Sequence, residues 1–160
     1  MTSSDTTTNA SPPAKPAALI GWRLLALLYD FWPVLALWMI VAVPFIVVDV
    51  VVSGNARHNI APYSTAWWLQ WLTCWTISGL YATVSWRRGG QTLGMRPWRL
   101  HVVTGNDAKP SWSELWTRYA VGTLSLLLGG IGFWWAWVDR EKLTWHDRAS
   151  RTRLIRLPKP

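Results

Sequence analysis

Residues 119–138 read YAVGTLSLLLGGIGFWWAWV. Twenty apolar and small residues are enough for one helical crossing of a bilayer. Yet Gly129, Gly130 and Gly132 interrupt the run near its middle. Glycines there mark either close helix packing or a break in the helix. A single crossing puts the two flanks on opposite sides of a membrane, and a fold-back returns them to one side. The architecture of the chain turns on this choice.

The flanks carry the relevant charge. Upstream, residues 87–118 hold Arg87, Arg88, Arg96, Arg99, Lys109 and Arg118 against Asp107 and Glu114, a formal +4. Downstream, from Asp139 onward, seven Lys or Arg stand against three acids, again +4. Basic flanks prefer the cytoplasmic side. Three simple crossings would put the carboxy-terminal flank outside, against its charge. A break at GGIG would resolve the conflict, provided protein covers the interrupted backbone. It would also let RLHVV (99–103) and RTRLIRL (151–157) pair as strands. Both readings stay open at this level.

Two further apolar runs precede this one. Residues 24–48, LLALLYDFWPVLALWMIVAVPFIVV, would extend about 37 Å as a helix, longer than a hydrocarbon core of roughly 30 Å. Tilt, or kinks at Pro33 and Pro44, would absorb the excess. Residues 66–86, AWWLQWLTCWTISGLYATVSW, match one crossing, with Trp67, Trp68 and Trp71 at one end and Trp86 at the other. Tryptophans so placed anchor helices at bilayer interfaces. The connection between these runs, 49–65, is neutral, with Asp49 balancing Arg57.

Composition agrees. Of 160 residues, 51% are hydrophobic and 15% charged, and the net charge is +8. The bases flank apolar segments, so the expected partner is a bilayer with anionic headgroups and not nucleic acid. The polar, Pro-rich residues 1–18 cannot build a core and are expected to be disordered, with 158–160 a short tail. Residues 19–157 form the expected membrane domain, all-α with about three hydrophobic helices (24–48, 66–86, 119–138) and room for a short cytoplasmic strand pair. The lone Cys74 excludes an internal disulfide, and no cofactor motif is present. Gly89-Gly90-Gln91 lacks Walker spacing.

Four pieces, WRLLALLYD, GGQTLGMRPWRLHVV, SELWTRY and VDREKLTWHDRASRT, occur in an order that resembles the RDD family of small integral membrane proteins. The family is named for an arginine and two aspartates, to which Arg23, Asp30 and Asp139 correspond. His146, Asp147, Arg148 and Thr152 match a further motif. Met95-Arg96-Pro97 departs from the usual Lys-Arg continuation but keeps a base at Arg96. The resemblance implies a multi-pass protein of the inner or cytoplasmic membrane. It implies a transport-related role at most, cation/proton antiport having been linked to some members, and no enzyme chemistry.

The residues themselves give the polar candidates. Asp30 in an apolar run must be neutral, paired or facing a wet interior. It is either a structural pin or a proton-exchanging group. Arg23 lies seven residues earlier on the same helical face, but side chains lean toward a helix amino terminus, so it is expected to snorkel to a lipid phosphate. Arg118 is a candidate partner for Asp30, and Asp139 for Arg23 or Arg140. Ser111 with Glu114, and Thr144 with Asp147, have the spacing of helix capping boxes. His146-Asp147 has no Ser or Cys nucleophile motif beside it, and the histidines lack metal-ligand spacing. Two functions follow: a structural or accessory component acting through helix–helix contacts, or ion or small-solute transport. So short a chain with few intramembrane polar groups favours a homo-oligomer or a membrane-protein partner for transport.

Overall fold

The computed structural model describes residues 18–54, 60–105 and 108–158. The expected disordered tail lies outside these residues except for Ala18, as do His58, Asp107 and the last two residues. The order is α1 (Ile20–Ser53), α2 (Thr65–Gly89), β1 (Leu100–Thr104), α3 (Trp112–Leu127), α4 (Ile131–Val138), α5 (Trp145–Ala149) and β2 (Thr152–Arg156).

α1 is 34 residues long, about 51 Å, and contains both Pro33 and Pro44 without ending at either. Most of its side chains face outward: Trp32 is 67% exposed, Ile40 68% and Val52 81%. An exposed apolar surface of that length is stable in lipid, not in water. Only Ile20, Arg23, Ala26 and Val41 of α1 are buried, three of them in its first two turns.

The expectation of three hydrophobic helices is not met as stated. Among the described residues, α1 alone is long and apolar enough to cross a membrane by itself. α2 is diluted by Gln70 and by a series of hydroxyls. The run 119–138 is not one helix: α3 and α4 reach the criterion only together and are bent by 99° at their junction. The cause is local. Gly129 and Gly130 take φ of 70° and 78°, a left-handed conformation that favours glycine. Gly130 N–H then closes on the Ser125 carbonyl at 2.7 Å, ending α3.

The bend brings the chain back. β1 and β2 pair antiparallel, Leu100 opposite Arg156 and Thr104 opposite Thr152. The segment between them therefore starts and finishes at one place, as the fold-back reading requires. Beside this ribbon sits the core: Ala26, Met95, Leu100, Val102 and Leu115, flanked by Trp22, Trp86, Trp98 and Leu154. It joins the start of α1, the end of α2, the ribbon and the start of α3 into one platform. Farther along, single polar ties link the helices. Trp38 donates to Ser78 Oγ (2.8 Å), Trp75 to Thr123 Oγ1 (3.3 Å) and Tyr119 to the Trp75 carbonyl (2.8 Å).

Candidate functional site

The two capping boxes form as spaced. Ser111 and Glu114 start α3, and Thr144 and Asp147 start α5. The second has a larger consequence. Capping fixes Asp147 at the third position of a five-residue helix, with Oδ2 accepting from Thr144 N–H at 3.2 Å. α5 packs along α3, so the Asp147 carboxylate is fully buried between α3 and α1.

Two arginines converge on it. Arg23, on the first turn of α1, donates from Nη2 to Asp147 Oδ2 at 2.6 Å and from Nη1 to Oδ1 at 3.3 Å. Arg118, on α3, donates from Nη1 to Oδ1 at 2.5 Å and to Thr152 Oγ1 at 2.8 Å. Both arginines are buried. Arg23 further donates to the Ala18 carbonyl and to Thr144 Oγ1. One carboxylate thus joins α3, 29 residues away, to the start of the first helix, 124 residues away.

His146 completes the cluster. Its Nε2 lies 3.2 Å from Arg23 Nη1. Arginine can only donate, so Nε2 accepts and the ring proton is assigned to Nδ1. That Nδ1 is buried and has no partner among the described residues. Burial, then the Arg118 charge, push the imidazole well below its ordinary pKa, and Asp147 only partly opposes them. Burial acts to raise the Asp147 carboxyl, but Arg118 and Arg23 together hold it below the usual carboxylate range. The cluster is thus two cations, one anion and a neutral imidazole.

A pH dependence follows. An unfolded histidine titrates near pH 6.5, whereas His146 in the fold stays neutral well below that. The unfolded state therefore binds the extra proton, and stability falls as pH drops below about 6.5 toward the folded value. The slope is about 1.4 kcal/mol per pH unit for one group. His101 shifts in the same direction through burial, but it is common to both proteins in the comparison. Thermal unfolding at pH 7 and pH 5 should show a smaller acid loss for His146→Gln than for the natural chain. Equal losses would contradict the assignment.

Asp30 sits elsewhere, and Arg118 is not its partner. Oδ1 accepts from Tyr81 O–H on α2 at 2.7 Å and from Gly94 N–H at 2.9 Å. Oδ2 accepts from the Thr92 hydroxyl. The acid therefore ties α1 to α2 and to the loop after α2. Arg118 is drawn away because α5, invisible as a neighbour in sequence, brings Asp147 to α3. For the same reason Arg23 does not snorkel to lipid, nor does it meet Asp139. Asp139 instead accepts from Arg148 Nη2 at 2.7 Å and from Leu143 N–H at 3.0 Å, holding the turn between α4 and α5. Arg148 also approaches Glu141 at 3.8 Å, and half of its side chain is exposed. Arg96 is exposed, and its charge reaches the Asp30 cluster at Tyr81.

Sequence reading missed Tyr81, Thr92 and Gly94 as partners of Asp30. One signal existed: a phenol inside an apolar run needs a polar partner for its hydroxyl. Among the described residues, no group of three His, Cys, Asp or Glu side chains could hold a metal ion.

Residues 17–151, most of the chain, match the model of the RDD family. No curated protein and no solved structure matches the chain.

Proposed function

The chain belongs to the RDD family, and from that premise we propose a structural or accessory role in the cytoplasmic or inner membrane, exercised through helix contacts. One observation carries the reading: the carboxylates of Asp147 and Asp30 have both oxygens occupied by protein donors. Asp147 is held by two guanidiniums and a backbone N–H. Asp30 is held by a phenol, a threonine hydroxyl and a backbone N–H. A carrier needs a carboxylate that exchanges its partner for a proton or cation. These two act as fasteners between segments distant in sequence.

In the proposed topology α1 and α2 cross the bilayer and α3–α4 folds back into it. The platform then lies on the cytoplasmic side with both basic flanks. α2 supports this: Thr73, Thr76, Ser78 and Thr83 each donate to the carbonyl one turn back, at 2.7–2.8 Å. Hydroxyls satisfied within their own helix are tolerable in hydrocarbon. The β1–β2 ribbon supports a common side for the two flanks.

Two measurements test the proposal. A cysteine placed after Pro160 should react with an impermeant reagent only from the cytoplasmic side. Labelling only from outside would refute the fold-back. Protein inserted in sealed vesicles should give no cation-driven response from an internal pH-sensitive dye. A cation-dependent proton flux, abolished by Asp30→Asn, would replace the accessory reading with antiport.

A further inference from the structure

A half-enclosed groove of about 840 Å³ runs between α1, α2 and α3. Its long walls are apolar: Leu27, Val34 and Trp38 of α1, Trp67 and Leu72 of α2, Leu126 of α3. It extends at least from Trp67 to Trp86, nineteen residues of α2 and about 28 Å. Apolar walls of that length are suited to a hydrocarbon chain.

The platform end of the groove is polar. Arg23, Arg118 and Asp30 line it, whereas Asp147 lies behind the two arginines and does not. With Asp147 at 2.5–2.6 Å from both guanidiniums and Asp30 beside them, the two cations and two carboxylates balance. Asp30 has both oxygens occupied by protein donors. Arg118 differs. It is 4% exposed, and only its Nη1 donates to protein. Nε and Nη2 have no partner among the described residues, and neither is sealed from the groove. The guanidinium is steadied over the Trp86 ring, 5.5 Å from its centroid, and Trp86 also lines the groove. A fixed, buried guanidinium with two free donors matches the oxygens of a phosphate.

We propose that this groove holds a phospholipid of the cytoplasmic leaflet, with one acyl chain along α2 and the phosphate on Nε and Nη2 of Arg118. The lipid would fill a space that otherwise separates three helices and give the two unpartnered donors of Arg118 an acceptor. The proposal rests on the crossing of α1 and α2 given above. Labelling of a Tyr63→Cys variant, in the connection between α1 and α2, only from outside reports that crossing separately, so the two can fail independently.

The test is lipid retention by the full chain in detergent, read by native mass spectrometry after exposure to equal phosphatidylglycerol and diacylglycerol. The phosphate-bearing lipid should be retained about tenfold over the one without phosphate, the worth of a charge-assisted contact. Leu72→Trp alters a half-exposed groove residue away from the ionic cluster, and should lower retention of both lipids to background. Arg118→Lys keeps the charge but loses the fork, and should abolish the preference while leaving chain binding. If that variant does not fold, the lipid series and Leu72→Trp still decide. Equal retention of both lipids, or unchanged retention in Leu72→Trp, would overturn the proposal. So would displacement by inorganic phosphate alone, which would mean a free-anion site. A dimer dispersed by Leu72→Trp, with no lipid bound, would assign the groove to a second copy.

Discussion

Asp147→Asn is expected to remove about 3–5 kcal/mol of stability, enough to deplete the folded protein from the membrane. The amide has almost the same shape, so little packing is lost. What changes is charge. Arg23 and Arg118 are each about 95% buried, and Asp147 is the carboxylate both of them contact. Without it, two guanidiniums face each other across a neutral group in a dry site. The capping box of α5 weakens as well, because Asp147 also accepts from Thr144 N–H. Unfolding in detergent against the natural chain measures the loss, and a change below about 1 kcal/mol would contradict the cluster. A second substitution sharpens the result. Arg118→Met in the Asp147→Asn background removes one uncompensated cation. The double variant should be more stable than the sum of the two single losses allows, which is the mark of direct coupling.

Gly94→Ala should cost about 3 kcal/mol, although it adds one methyl group in a loop. A Cβ at Gly94 would clash with the Ala26 carbonyl oxygen and lie 2.7 Å from Asp30 Cγ and 2.7 Å from Asp30 N. Two of these are backbone atoms of α1 and cannot rotate aside. The loop must lift from the helix, losing the Gly94 N–H bond to Asp30 and straining the Thr92 bond beside it. Gly89 is the control. It lies in the same stretch, GGQTLG, but a Cβ there meets nothing within 4 Å. Gly89→Ala should fall within about 0.5 kcal/mol of the natural chain. Similar melting of the two variants in one detergent would refute the close seat of the loop on α1.

The candidate residues show how far local rules reach. Thr144 and Asp147 are recognisable as a capping box because capping acts over three residues, and the fold keeps it. The identity of the buried partners is not recognisable that way. Arg23 and Asp30 share a helical face seven residues apart, yet they serve different clusters, since each points to a segment that arrives from elsewhere. Thr92 and Gly94 look like ordinary loop residues until α1 is laid against them. Arg118 would be the obvious match for an intramembrane acid if α5 were not packed along α3.

Sequence alone determined the membrane class, the long first helix, the two capping boxes and the conflict between charge and three crossings. These follow from composition, apolar run length and short-range spacing, which the chain carries with it anywhere. The tertiary structure decided that GGIG is a 99° bend, that β1 and β2 close the segment between them, and that Asp147 rather than Asp30 receives the arginines. Those outcomes depend on which desolvated charges meet. A buried charge takes the partner that packing brings within about 3 Å, whatever the distance in sequence.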